Sequence, residues 1–119
     1  MKESVLKNKS FAFAIRVVKL YKYLVSDKKE FVLSKQLLRS GTAVGALIRE
    51  AQNAESKADF IHKLGIAQKE CDETLYWLEL LFETEYLSQS EFESMSKDNS
   101  ELLKMLRSAI ITSKKGKIS

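Results

Sequence analysis

The sequence predicts an all-α protein, an antiparallel up-down-up-down four-helix bundle. Three observations predict it. The 119 residues contain no proline and only four glycines, whereas a sheet protein of this size needs turn residues at every reversal. Apolar residues recur at three- and four-residue steps over long segments, the period of a helix buried along one side. The polar breaks between those segments are short, and short connections make chain neighbours antiparallel neighbours in space.

Residues 1–9 are polar and are expected to fray. The first helix is expected from about Ser10 to Val25. It carries two apolar stripes, Phe11-Ile15-Val18-Val25 and Phe13-Val17-Leu20-Leu24, more than one partner face can cover. Its polar strip is basic, with Arg16, Lys19 and Lys22 at successive i+3 steps.

After the connection SDKKE, a second helix is expected to begin between Phe31 and Ser34 and to reach about Ala54. Its buried stripe is Leu37, Val44, Leu47 or Ile48, and Ala51. Gly41 and Gly45 lie four apart on one face, although each costs about 1 kcal/mol relative to alanine inside a helix. Such a pair admits the close approach of another helix or, alternatively, of a ligand or nucleic-acid backbone.

Ser56 with Asp59 forms an N-terminal cap signal, and a third helix is expected from about Lys57 to Glu85. Its seam is Phe60, Leu64, Ala67, Cys71, Thr74, Leu78 and Leu81, the spacing of helices crossing at shallow angles. The run Leu75–Phe82, LYWLELLF, is apolar nearly all round. Other helices or another subunit must cover it, so Tyr76, Trp77 and Leu80 are candidate interface residues together with Gly41 and Gly45.

Ser88 and Glu91 form a capping box, with Leu87 and Phe92 placed to staple it. A fourth helix extends from there to about Ile111, lined by Phe92, Met95, Leu102 or Leu103, Leu106, Ala109 and Ile110. Asn99 occupies a position where this stripe expects an apolar residue. The expected organisation is one bundle domain over residues 1–112 and a basic, disordered tail over 113–119.

The net charge of +4 conceals a split: +7 over residues 1–39, −7 over 40–96 and +4 over 97–119. First and last helices are adjacent in a closed bundle, so Arg16, Lys19, Lys22, Lys104 and Arg107 are the candidates for phosphate contact with RNA or DNA. The same lysines could serve solubility alone, or pair with the acidic middle of another copy. Arg39 and Glu50 are further candidates for ion pairs, within or between subunits.

Enzymatic and cofactor chemistry has little support. A di-iron bundle needs a Glu-x-x-His pair on each of two helices; this chain has one histidine, in Asp59-x-x-His62. Cys71 lies on an apolar seam, where a cysteine acts as a small hydrophobe. No phosphate-binding glycine loop is present. The expectation is a non-enzyme without cofactor or metal. The N-terminal residues lead into no secretory apolar run, because Arg16, Lys19 and Lys22 break up the first helical segment. No stretch approaches the roughly 20 apolar residues of a membrane span. With a single cysteine, a reducing cytoplasm is the expected compartment.

Residues 36–46, QLLRSGTAVGA, continuing through Arg49-Glu50-Ala51-Gln52, resemble the signature of the four-helix bundle proteins encoded in intervening sequences of bacterial 23S ribosomal RNA genes. Lys57–Leu64, with Ile66-Ala67, Lys69-Glu70, Glu73-Thr74 and Tyr76-Trp77-Leu78, is similar to their third helix. The resemblance spans residues 10–112 and is specific within 36–82. It implies a ring-shaped homo-oligomer, a pentamer, without known enzyme activity. It also implies similarity to accessory proteins of diversity-generating retroelements, which offer a basic surface to nucleic acid and contact a reverse transcriptase. Leu47 departs from the pattern where asparagine is common, and Ala51 where glycine is; a polar role for that asparagine does not carry over.

Overall fold

The computed structural model describes residues 2–116, which form four helices: α1 (Lys2–Ser26), α2 (Leu33–Gln52), α3 (Lys57–Glu83) and α4 (Gln89–Lys114). Each helix packs against its chain neighbours and α1 closes against α4, while the diagonal pairs α1/α3 and α2/α4 do not meet. The result is the expected up-down bundle, a rod of 50 × 21 × 20 Å.

The termini of α3 and α4 obey the local signals. The Ser56 hydroxyl accepts from Asp59 N–H at 3.0 Å. At α4 the Ser88 hydroxyl accepts from Glu91 N–H at 3.1 Å, and the Glu91 carboxylate accepts from Ser88 N–H at 2.8 Å. Helix α3 stops in a paired-bond motif: Glu85, with φ 71°, takes the left-handed position, while Glu85 N–H and Tyr86 N–H return to the carbonyls of Phe82 and Leu81. These bonds satisfy end carbonyls that the helix leaves open.

Helix α1 starts earlier than expected. Residues 2–9 are helical, because Leu6 falls in line with Ser10, Phe13, Val17 and Leu24, and all five are buried. Of the two stripes only Phe13-Val17-Leu24 enters the core; Phe11 and Ile15 stay exposed at 52% and 42%. Gly41 and Gly45 settle the choice. A methyl on Gly41 would lie 2.8 Å from Val17 Cγ2, and one on Gly45 would lie 3.4 Å from the Ser10 carbonyl oxygen. The glycines thus let α1 seat against α2 through its Ser10–Val17 side. At the other end α4 runs on through Lys114, with Ser113 buried, and Lys115 and Gly116 form a turn; residues 117–119 of the expected tail lie outside the described residues.

The start of α2 is capped from an unexpected position. Val32 at its N-cap has no capping side chain. Instead the buried Glu30 carboxylate accepts from the N–H groups of Val32, Leu33 and Ser34 at 3.1, 2.9 and 2.6 Å, while the Ser34 hydroxyl donates to the Glu30 carbonyl. Burial pushes the Glu30 pKa up, but the backbone N–H donors outweigh it and hold the carboxyl below its ordinary value. A depressed carboxyl pKa contributes stability that is present above the unfolded pKa and lost as pH falls through the folded one. Glu30→Gln is therefore expected to destabilise by about 1 kcal/mol at neutral pH. Urea denaturation should show the two proteins converging as pH is lowered below the carboxylate range.

Candidate functional site

The five residues expected to contact phosphate do not form one face. Arg16 Nη1 lies 2.5 Å from Asp98 Oδ2, and Arg16 Nη2 donates to the Ser94 hydroxyl at 2.7 Å. Its guanidinium thus ties α1 to α4, as does Lys9, 3.9 Å from Glu101. Lys19 and Lys22 are exposed on α1 beyond the Arg16 level, whereas Lys104 and Arg107 are exposed on α4 below the Glu101 level. Asp98 and Glu101 lie between the two groups. The charge split alone could not reveal this, because the acids that interrupt the face are themselves on α4.

A denser cationic group sits at the opposite end of the rod from the Glu30 cap. Lys104, Arg107, Lys114 and Lys115 are exposed along the last part of α4 and just beyond it. A methyl on Gly116 would lie 3.5 Å from Lys57 Nζ, so the first residue of α3 brings its ammonium against the end of α4. None of these five has an acidic partner among the described residues. From Lys104 to Lys115 the helix rises about 16 Å. Lys57, Lys114 and Lys115 are not singled out by the sequence pattern. The signal is the basic composition of the last segment, which reads in isolation as a tail.

The second surface lies on α2 and α3. Arg39 pairs with Glu73 and reaches Glu70 at 3.3 Å, and Trp77 Nε1 donates to Glu73 at 3.1 Å. The bond to Glu73 is the main cause of a raised Arg39 pKa, and the Arg39 bond, then that from Trp77, holds Glu73 below its ordinary value. Tyr76 packs edge-on against Trp77, centroids 4.9 Å apart, and is 55% exposed. Leu80, one turn on, is half-buried. Glu50 pairs with Lys63 at 2.9 Å, so Arg39 and Glu50 each find a partner on α3 within the chain.

The core between these surfaces holds little chemistry. Cys71 is buried, and burial, with Asp72 and Glu70 adding, pushes its thiol up to about 12. No group of three or more His, Cys, Asp or Glu side chains is gathered for a metal among the described residues. No helix among them is long and apolar enough to cross a membrane.

The model of the 23S rRNA-intervening sequence protein family matches residues 2–108. The chain belongs to that family. It is also similar to the crystal structure of a protein of unknown function from the S23 ribosomal protein family of Bacteroides thetaiotaomicron VPI-5482. Identity is 58%, the match covers 92% of this chain and 98% of that one, and the TM-score is 0.91. No curated protein matches. In this 23S rRNA-intervening sequence protein, Leu47 is partly buried against the core and Ala51 is buried in it. Both positions that depart from the family pattern therefore serve packing.

Proposed function

We propose that this family member is a non-enzymatic, cytoplasmic bundle protein that assembles with copies of itself and holds RNA or DNA without sequence preference. The observation that carries the nucleic-acid part is the cationic end formed by Lys57, Lys104, Arg107, Lys114 and Lys115, without acid partners among the described residues. Flexible cations of this kind suit a phosphate backbone, whose contacts position a protein without reading sequence. Lys19 and Lys22 can extend this contact only weakly across the intervening acids, and Arg16 is engaged with Asp98. On the family resemblance, the assembly is a pentameric ring and a reverse transcriptase is a further protein partner.

Filter binding of duplex DNA and structured RNA at about 50 mM and about 200 mM salt tests the reading. Four or five neutralised phosphates predict roughly a hundredfold loss of affinity over that range. Lys104→Glu with Arg107→Glu should abolish most binding, and Arg16→Ala should leave it nearly unchanged. Absence of binding at the lower salt would sink the nucleic-acid part.

The second reading is a protein-interaction scaffold with no nucleic-acid role. Its support is the exposed Tyr76 beside Trp77 and Leu80, since exposed aromatic groups of this kind anchor protein interfaces.

A further inference from the structure

Two exposed faces on different helices match each other. On α1, Phe11 and Ile15 are exposed on successive turns, and Lys19 and Lys22 continue the same side without an acidic partner among the described residues. On α3, Tyr76 is exposed, and Glu79 and Glu83 continue its side, without a basic partner among the described residues. Each face therefore sets exposed apolar surface beside a charged pair further along the rod, with Asp72 exposed one turn before Tyr76 on α3. One pair is positive and the other negative, and the polarity runs the same way along the rod because α1 and α3 are parallel.

Their heights agree as well. Arg16 pairs with Asp98, and α4 is keyed to α3 by Asn99 on the Cys71 carbonyl and by the Phe92–Phe82 stack. Through α2, Val17 meets Gly41 and Ser40 meets Thr74. Traced through either neighbour, these contacts place Ile15 level with the Cys71–Tyr76 turns and Lys22 level with the Leu78–Glu83 turns. Because α1 and α3 are diagonal, the two faces cannot meet within one chain.

We infer that the α1 face of one copy docks on the α3 face of the next, Ile15 against Tyr76 and Lys19 and Lys22 against Glu79 and Glu83. This names the surfaces of the self-association proposed above and rests on that reading. Because the two faces lie on diagonal helices, a two-fold contact along the rod through either one alone would set lysine against lysine or glutamate against glutamate, and like charges in contact are unfavourable. A heterologous contact pairs opposite charges and continues from copy to copy. Matching heights leave little rise along the rod axis, so the chain of copies curves into a ring instead of a helical filament. Both faces lean toward α2: the Arg49 guanidinium lies over the Phe11 ring at 5.1 Å, and Trp77 is tied through Glu73 to Arg39. Copies joined this way turn about the α2 side and leave the basic outer surface of α4 free.

The test is the solution mass of the full chain by light scattering, with circular dichroism confirming the fold of each variant. Wild type should give a multiple of 13.6 kDa. Lys19→Glu with Lys22→Glu, and separately Glu79→Lys with Glu83→Lys, should each weaken association at least about tenfold. The four substitutions in one chain should restore it, and a mixture of the two double variants should co-assemble. If wild type assembles but both double variants keep its mass, the assigned faces are wrong while self-association stands. If the double variants dissociate and neither the fourfold variant nor the mixture recovers, the pairing of the two faces is wrong. A wild-type monomer at every concentration overturns the self-association reading itself.

Discussion

Asn99→Asp is expected to lower stability by roughly 3–5 kcal/mol at neutral pH, the cost of leaving a buried charge uncompensated. Asn99 is 2% exposed on the inner side of α4. Its Nδ2 donates to the Cys71 carbonyl at 2.9 Å, and its Oδ1 is already a buried acceptor with no partner among the described residues. A carboxylate would direct negative charge at a carbonyl oxygen, and the neighbouring Cys71 thiol, pushed up to about 12, stays neutral. Burial would raise the pKa of the new carboxyl above the unfolded value. The folded state then holds its proton longer, so stability falls as pH rises from the unfolded pKa to the folded one. The protonated acid can still donate to Cys71, so the variant should approach wild type at low pH. This is opposite in sign to the pH dependence of the Glu30 cap. Asn99→Leu removes both the hydrogen bond and the orphan oxygen and is expected to change stability by only about 1 kcal/mol at any pH. Urea midpoints of the three proteins across pH check the argument. A pH-independent loss in Asn99→Asp would refute it.

The same residue shows where sequence reading stops. The periodic stripe puts Asn99 on the inner face of α4, but only the height of α4 against α3 brings its amide to the Cys71 carbonyl. Local signals are legible wherever donor and acceptor are three residues apart, as in Ser88 with Glu91. The α3 seam is legible from Leu64 to Leu81 because one side of a long helix faces one core. Glu30 is not, since its capping depends on the loop folding back through the Ser34 hydroxyl, and SDKKE carries only a run of charges. Arg16 and Lys9 look like free cations in the sequence because their partners are on the far end of the chain. On α1, two stripes of similar strength leave the inner side undecided until Gly41 and Gly45 receive Val17 and Ser10.

Gly41 is the sharper case of that contact, and Gly41→Leu is expected to cost about 3 kcal/mol or more. Its hypothetical Cβ would lie 2.8 Å and 2.9 Å from the two Val17 methyls. Val17 is fully buried and β-branched, so it has one favoured rotamer in a helix and no flexible end to withdraw. Relief requires α1 to move off α2, which loosens the burial of Phe13 and Leu24 on the same side of α1. Gly41→Ala meets the same clash with one carbon and gains about 1 kcal/mol of helix propensity, so a smaller net loss is expected. The other two glycines within helices calibrate the effect. At Gly45 the nearest atom is the Ser10 carbonyl oxygen at 3.4 Å, at the tight edge of ordinary contact and part of a backbone that cannot withdraw, and around Gly65 nothing lies within 4 Å. Gly45→Ala should be near neutral, and Gly65→Ala should stabilise by about 1 kcal/mol. The order Gly65→Ala, Gly45→Ala, Gly41→Ala, Gly41→Leu in thermal midpoint thus reflects the space at each glycine, because helix propensity alone would favour all three alanines equally. If Gly41→Ala matched Gly65→Ala, the close approach of α1 to α2 through Val17 would not be what positions α1.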